Sequence, residues 1–425
     1  MRGQMATYGL ILMYVIPVFV TLVLLEKLYG WYWKKEPFKA MDTISSLSSG
    51  LSNSVKDSLG LVVVILSYGY MVEHWAMYEI KTSVWLYIIA FITIDFYGYC
   101  THRLAHTINI FWNKHAIHHS SEEFNLACAL RQPVAQFVNL FTFLLLPAAL
   151  LGVPAQVVAT VAPIQFFLQF WYHTKYIGKM GFLEKIIVTP SHHRVHHALN
   201  PEYLDKNHGQ IFIIWDKLFG TFQEELPNVP PVYGITRPMS TWNPIKINFT
   251  HLWLLIQDAY RAEKWIDKLT IWFKPTGWRP ADVEKKYPVS KIEDPYNFVK
   301  YATPASTNLI SWISVQLFVT LAFMYHLFAH LGTIQKPDIL LYGAFLLLTI
   351  YAYTELMDRN PKAVWWEALK AVFAFSCIYY LGDWFGIGQT YTMVIAVYLL
   401  LSVAVTYYFV RFEEPAMTVS MQKLN

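Results

Sequence analysis

The sequence predicts an all-helical protein that crosses a membrane several times. Hydrophobic residues make up 55% of its 425 residues and charged residues only 15%, whereas soluble domains carry about 25% charged residues. Nine segments are apolar over about 20 residues, which is the length of a helix that crosses the hydrocarbon core. The predicted fold is a polytopic helical bundle of about nine spans with a histidine-rich cytosolic cap.

The apolar segments are spread over the whole chain, and Gly152 and Val153 join two of them in a tight turn. Loops and spans alternate, so the spans fix which loops share a side of the membrane. The predicted spans are 8–28, 59–78, 83–101, 134–151, 154–173, 308–331, 338–356, 364–382 and 391–411.

Basic residues are distributed unevenly between the two sides. Of the 33 Lys and Arg residues, only Arg2, Lys81 and Lys336 lie on the side of the N-terminus. Cytosolic loops carry an excess of Lys and Arg, so the other side is predicted to be cytosolic. The predicted cytosolic parts are the loops 29–58, 102–133, 174–307 and 357–363 and the C-terminus.

Four regions follow from the spans and the loops. Residues 1–58 are predicted to form an anchor span with a cytosolic interfacial segment, and residues 59–225 a histidine-rich catalytic core. Residues 226–307 are predicted to be a cytosolic interfacial amphipathic region, because tryptophans are interleaved with basic residues; an ordinary cap packed on the helix ends is the alternative. Residues 308–425 form a four-span region, in which Glu367 and Lys370 are spaced to pair.

Eleven of the 15 histidines lie between residues 102 and 208, in clusters with repeated spacing. Spacings of three and four residues place side chains on one helical face, and imidazole is the commonest protein metal ligand. Nine histidines are too many for one ion, and they suit two ions with four or five ligands each. The predicted ligands are His102, His106, His115, His118, His119, His173, His193, His196 and His197.

Polar residues near these clusters are predicted to orient the ligands. Asp95 lies on the face of His102 and is expected to accept its free N–H, with Arg103 or another helix as the alternative partner. Gln169 precedes His173 by four residues and is predicted to orient it or to line a substrate entry.

Three further residues belong to the predicted surroundings of the ligands. Glu122 and Asn125 follow the second cluster, and a carboxylate there is expected to bind metal, to accept a histidine N–H or to pair with Arg131. His192 and His208 adjoin the last cluster outside the repeated spacing, and His208 is kept as a candidate.

The ligand type narrows the chemistry. All-imidazole sites suit iron, copper, nickel or zinc, and two metals could support either hydrolysis or dioxygen chemistry. Redox iron acting on a lipid is favoured, because the chain has no G-x-S-x-G motif or other hydrolase machinery. A metal transporter and a non-catalytic metal- or lipid-binding protein are the alternatives. The net charge of +4 gives little support for nucleic-acid binding.

The motifs HRLAH (102–106), HAIHH (115–119) and HHRVHH (192–197), with apolar spans before and between them, resemble the fatty acid hydroxylase/sterol desaturase superfamily. The resemblance covers roughly residues 40–225. Further stretches, such as Trp171–Thr174 and Ile213–Phe222, are similar to the alkylglycerol monooxygenase branch, as are the extra C-terminal spans.

The resemblance implies a membrane-bound di-iron oxygenase, although zinc has been placed at the same positions in some members of the superfamily. It carries the ligand role to the nine histidines and implies a lipid substrate, dioxygen and an external electron donor. In the alkylglycerol branch, a tetrahydrobiopterin supplies electrons and an ether is cleaved. Sterol or fatty-acid hydroxylation or desaturation is the alternative. The expected location is the endoplasmic reticulum in a eukaryote or the inner membrane in a bacterium.

Overall fold

The computed structural model describes residues 2–413, except residues 62, 65–66, 137 and 140. The gaps fall in the predicted spans 59–78 and 134–151. Residues 414–425, at the end of the predicted region 308–425, also lie outside the described residues.

The described residues are predominantly helical, as predicted. Two-residue strands, β1 (Val63–Val64) and β2 (Val138–Asn139), pair in parallel. Short 3-10 helices cover Cys128–Leu130, Phe141–Leu145, Gly181–Lys185, Ile271–Phe273 and Pro295–Asn297. The α-helices are α1 (Arg2–Trp33), α2 (Ala40–Ser58), α3 (Tyr68–Trp75), α4 (Val84–Thr107), α5 (Asn109–His119), α6 (Leu146–Leu150), α7 (Ala155–Leu168), α8 (Pro190–His196), α9 (Ile214–Leu218), α10 (Pro244–Arg261), α11 (Trp265–Thr270), α12 (Ala281–Lys286), α13 (Thr307–His330), α14 (Lys336–Met357), α15 (Ala363–Leu381) and α16 (Gln389–Arg411).

Five helices among the described residues are long and apolar enough to cross a membrane. They are α1 from Gly9 onward, α4, α13, α14 and α16, and they match the predicted spans 8–28, 83–101, 308–331, 338–356 and 391–411. Several such helices in one chain make this a multi-pass membrane protein.

The other four predicted spans differ from the structure. Segment 59–78 contains β1 and the eight-residue α3, which rises only about 12 Å and is capped by the Ser67 hydroxyl. Segment 134–151 contains β2, a 3-10 helix and the five-residue α6, which has Pro147 in its first turn. Apolar composition predicts spans there, but in the described residues of these segments the Ser67 cap and Pro147 mark the starts of short helices.

The predicted spans 154–173 and 364–382 contain helices that are shorter or less apolar than the five long ones. Helix α7 has 14 residues and rises about 21 Å, which is less than the hydrocarbon thickness of about 30 Å. Helix α15 has 19 residues, but Glu367 and Lys370 make it less apolar than the five long helices. The predicted turn is present, because Gly152 has a φ of 81° and a side chain there would strike the Tyr78 carbonyl oxygen.

The chain divides into two compact units, so far as the structure describes it. The terminal unit comprises Met1–Leu61, Ser240–Ile247 and Lys300–Asn425, and the central unit Val62–Met239 and Asn248–Val299. In the terminal unit, α13–α16 pack in sequence and α2 packs on α13 and α14. In the central unit, α4 packs against both α5 and α7.

The terminal unit contains an ion pair among its helices. Glu367 and Lys370 are both fully buried and their side chains contact each other, which confirms the predicted pair. Lys370 also donates to Ser402 Oγ on α16 at 3.2 Å, and Gln316 on α13 donates to Glu367 at 3.3 Å. Buried charges of this kind need such partners.

Candidate metal centre

The nine histidines singled out by their spacing come together in the central unit as two groups. In each group every residue offers one ring nitrogen, and these nitrogens lie within 4.8 Å of one another. Neither group includes a carboxylate or a thiol from the described residues. The five-histidine group is His102, His106, His115, His119 and His196, and the four-histidine group is His118, His173, His193 and His197.

The two HxxHH motifs contribute to the groups in a reciprocal way. On α5, His115 and His119 belong to the five-histidine group and His118 to the other. At α8 the pattern is reversed, because only the middle histidine, His196, belongs to the five-histidine group. The His119 and His197 rings stack with centroids 4.3 Å apart. Each HxxHH motif therefore supplies histidines to both groups, and the two groups are in direct contact through the stacked rings.

Helix α8 begins with residues that form its cap. Thr189 is the cap and Pro190 occupies the first turn, while His192 Nδ1 lies 3.4 Å from the Thr189 backbone nitrogen. Such a reciprocal cap satisfies the first N–H groups of a helix. His192 is thus used for local structure, which explains why it stands outside the repeated spacing.

Backbone carbonyl oxygens hold four of the rings by Nδ1. His118 donates to Arg131 O at 3.3 Å and His173 donates to Gln169 O at 2.9 Å. His102 and His196 do the same with the carbonyls of residues 208 and 206, at 2.8 and 2.9 Å. A carbonyl can only accept a hydrogen bond, so Nδ1 carries the proton in these four rings.

Burial keeps the histidines outside the spans neutral. Desolvation, reinforced by neighbouring imidazoles, lowers the pKa of His118 to about 3. The same causes lower the pKa of His115, His119, His193 and His197 well below the usual value. A neutral ring whose proton is on Nδ1 presents a lone pair on Nε2, the form that binds a metal ion.

The Nε2 atoms are arranged as a cation would require. His118 Nε2 and His173 Nε2 are 3.3 Å apart, and because both rings are protonated on Nδ1, their lone pairs face each other. In the five-histidine group, the buried Nε2 atoms of His106 and His196 have no hydrogen-bond partner. A cation in each group would satisfy these atoms, so the residues present fit two metal ions.

Asp95 has other partners than the predicted histidine N–H. Its carboxylate accepts hydrogen bonds from the backbone N–H groups of Ile211 and Phe212, at 2.8 and 3.1 Å, and from Trp215 Nε1 at 2.8 Å. The carboxylate is fully buried. Asp95 therefore fixes residues 211–215 against α4, and it acts on the centre only through that segment.

Gln169 orients His173 through its backbone. The carbonyl oxygen of Gln169 accepts from the imidazole, whereas its side chain donates to Gln165 O and to Gln210 Oε1, both at 3.3 Å. We therefore expect Gln169→Ala to retain the metal content of the wild type, measured by elemental analysis of the purified protein. Loss of one ion per chain in this variant would show that the side chain holds the ring.

The remaining candidates have local roles in the structure. Asn125 Oδ1 accepts from the Ala127 N–H and forms a turn after α5, and Glu122 lies in the same loop, beside Gly234. The His208 ring bonds to Asp205 O at 3.1 Å and is in neither group. Its backbone oxygen holds His102. Its ring lies 4.9 Å from that of His106, between centroids, and its buried Nδ1 has no hydrogen-bond partner, so His208 stays a candidate neighbour of the five-histidine group.

Two positioning residues were missed by the sequence analysis. The fully buried Asp216 accepts from the backbone N–H groups of His208 and Gly209, both at 2.7 Å, and from Thr221 Oγ1 at 2.6 Å. Asn207 has a φ of 56°, and its side chain donates to Gln223 O at 2.7 Å. Asn adopts this left-handed conformation more readily than most residues. The asparagine at position 207 was therefore the sequence signal for a tight turn.

Arg194, inside the last histidine motif, also escaped notice as a positioning residue. Its guanidinium makes a two-pronged ion pair with Glu225, at 2.8 and 2.6 Å, and donates to Thr174 O at 3.2 Å. Because Thr174 follows His173, this contact ties the His173 loop to α8. The single arginine of the motif thus stabilises the fold around the centre.

Comparisons with known proteins agree with this arrangement. The Fatty acid hydroxylase family model matches residues 87–221, which include all nine histidines. The human protein named Alkylglycerol monooxygenase is 36% identical over 358 residues, covering 84% of this chain and 80% of that protein. The Xenopus tropicalis protein of the same name is 32% identical over 361 residues, covering 83% and 79%.

A bacterial relative matches a shorter stretch. The Rhizobium tropici protein named Ornithine lipid hydroxylase OlsE is 32% identical over 157 residues, covering 36% of this chain and 44% of that protein. No solved structure gives a significant match.

The helical fold, the histidine centre and these relatives define a multi-pass membrane oxidoreductase of the monooxygenase class. Within that class, the chain belongs to the alkylglycerol monooxygenase family of the fatty acid hydroxylases. The resemblance predicted from the histidine motifs is confirmed.

Proposed function

We propose that this protein is a di-iron oxygenase that hydroxylates a lipid C–H bond and cleaves alkylglycerol ethers. The observation that carries the proposal is the pair of all-histidine groups with Nε2 atoms facing each other. The names of the relatives, Alkylglycerol monooxygenase among them, support the substrate class.

The proposed ligands are the nine histidines, one ion to each group. Two iron ions held there would supply the activation of dioxygen. One oxygen atom enters the lipid and the other leaves as water, with two electrons and two protons from a tetrahydrobiopterin or an external electron-transfer protein. Hydroxylation of the carbon beside an ether oxygen gives a hemiacetal, which separates into an aldehyde and a glycerol derivative.

Buried aromatic rings protect the four-histidine group. The Phe124 ring lies 5.3 Å from that of His197 and stacks on Tyr233 at 5.0 Å, between centroids. Tyr172 lies 4.3 Å from His193 on another side. Phe124 and Tyr172 are each 2% exposed, so they exclude water from a centre that must handle a reactive oxidant.

The proposed location follows from the basic residues. The centre is proposed to lie at the cytosolic face, where the loops carry most Lys and Arg. The membrane would be the endoplasmic reticulum in a eukaryote and the inner membrane in a bacterium.

Hydroxylation of another lipid, without ether cleavage, is the second candidate. The similarity of the histidine-containing region to the Ornithine lipid hydroxylase OlsE favours it. The two candidates share the metal centre and differ in the lipid that reaches it.

Metal analysis and product analysis test the proposal together. We expect about two iron ions per chain. With an alkylglycerol, dioxygen and a tetrahydrobiopterin, we expect an aldehyde product. Its formation should stop when oxygen is excluded or when a chelator removes the iron. The control substrates are a fatty acid and a sterol, incubated under the same conditions. Zinc as the only metal, with no oxygen-dependent product from any lipid, would refute the oxygenase proposal.

A further inference from the structure

An apolar groove lies between α4 and α7 in the central unit. Its volume is about 360 Å³, within the range of about 300–1,000 Å³ for sites that bind small ligands. Its walls are almost wholly apolar. They include Ile88, Phe91 and Ile92 of α4, Val161 and Ile164 of α7, and Phe212.

Two of the walls continue from the groove to the histidines. On α4, Phe91 lines the groove, and the same helix carries His102 at its other end. On α7, Val161 lines the groove, and Gln165 follows one turn later on the same face. Gln169 comes after another four residues, and its carbonyl holds the His173 ring at 2.9 Å.

The third wall is the segment 208–212. Phe212 lines the groove, Gln210 lies two residues earlier, and the His208 carbonyl holds His102. Asp95 fixes the segment by the N–H groups of Ile211 and Phe212. Three separate elements thus show the same order, from apolar side chains to an amide or a carboxylate and then to a histidine.

Three glutamines stand between the groove-lining residues and the histidines along these elements, and the Gln169 side chain contacts the other two. We call Gln165, Gln169 and Gln210 the glutamine junction. Gln169 Nε2 donates to Gln210 Oε1 at 3.3 Å, and Gln165 Nε2 donates to Phe91 O at 2.5 Å. Gly98 leaves room for this junction, because a side chain there would strike the Gln210 amide.

The junction contains an acceptor without a donor. Gln165 is 2% exposed, and its Oε1 is buried with no hydrogen-bond partner. An unpaired buried amide oxygen costs about 1–3 kcal/mol. A hydroxyl group of a bound molecule would satisfy it.

We propose that the groove binds the hydrocarbon chain of the lipid substrate and that the glutamine junction contacts its oxygen-bearing end. In this arrangement Gln165 Oε1 accepts a hydrogen bond from a lipid hydroxyl. The proposal rests on the proposed function, in which the histidine groups oxidise a lipid. The apolar lining suits a hydrocarbon chain. The chain is expected to end at the amides, because burial against CH₂ groups would leave them unpaired.

Photolabelling of the full chain in detergent micelles tests the groove without turnover. The probe is a hexadecylglycerol ether with a diazirine on the last chain carbon, and unlabelled hexadecylglycerol is the competitor. We expect competed label on residues 84–92 or 160–164. Ile164→Trp, which fills the groove, should reduce that label about fivefold or more. Phe166→Trp is the matched control, since Phe166 is on the same helix, is similarly exposed (58% against 50%) and does not line the groove.

Gln165→Leu tests the junction by the same competition. The variant loses the proposed bond to the lipid and also the bond to Phe91 O. Loss of the lipid bond should raise the concentration of hexadecylglycerol needed for competition about fivefold. Hexadecane, which has no hydroxyl, should compete equally with both forms and so controls for the loss of the Phe91 contact. Equal competition by hexadecylglycerol in both forms would overturn the role of Gln165.

The outcomes separate this inference from the proposed function. Competed label in the groove without any lipid oxidation would support the groove and refute the oxygenase. Lipid oxidation with the label outside the groove would overturn the groove. Label in the groove that hexadecylglycerol does not displace would show non-specific partitioning of the probe and would also overturn it.

Discussion

Replacing His118 with alanine is expected to remove one of two bound metal ions and to abolish lipid oxidation. His118 belongs to the four-histidine group, and its Nε2 faces that of His173 at 3.3 Å. Three imidazoles would remain in that group, but His118 also links α5 to it. Because the other group keeps all five histidines, we expect elemental analysis to fall from about two ions to about one per chain, with turnover below detection.

His74→Ala is the control for this variant. His74 is exposed and its Nδ1 contacts a carbonyl of its own helix, Tyr70 O, at 3.0 Å. Its loss should leave metal content and activity unchanged. Two ions per chain in the His118→Ala variant would contradict the assignment of this histidine as a ligand, and retained turnover would contradict its role in catalysis.

Asp95→Ala is expected to have the second largest effect, on stability before chemistry. The substitution leaves two backbone N–H groups and the Trp215 indole N–H without their acceptor. Each orphaned donor costs about 1–3 kcal/mol, so the free energy of unfolding should fall by about 3 kcal/mol or more. Thermal unfolding in detergent measures the loss, and activity should fall with it because Phe212 and Gln210 move.

Thr93→Ala serves as the matched control on the same helix. Thr93 is exposed, and its hydroxyl donates to Ile89 O of its own turn, so little change in unfolding temperature is expected. If Asp95→Ala lost metal at an unchanged unfolding temperature, the carboxylate would instead act on a ligand histidine, as the sequence suggested.

The histidine pattern could be read without a structure because helical spacing alone places i, i+3 and i+4 side chains together. The division into five and four could not be read in this way. His118 and His196 belong to a different group from the first and last histidines of their own motifs, and this exchange depends on how α5 and α8 pack. Long-range packing leaves no local trace in the sequence.

The hydrogen bonds that orient the imidazole rings could not be predicted from the sequence either. Four of the rings are held by main-chain oxygens, such as those of Gln169 and Arg131, and every residue type carries one. Side-chain reasoning pointed to Asp95 and Gln169 as orienting groups, but their side chains are used elsewhere. Hydropathy likewise found the long helices, but it does not register caps and helix breaks such as those at Ser67 and Pro147, and the described parts of 59–78 and 134–151 hold only short elements.

The buried pair Glu367–Lys370 has a consequence for how the terminal unit assembles. Each charge alone in hydrocarbon costs about 2.5–3.5 kcal/mol by insertion scales. The Ser402 hydroxyl that Lys370 bonds belongs to α16, which leaves the ribosome after α15. We therefore expect α15 to be stable in the apolar interior of the terminal unit only once α16 has packed against it.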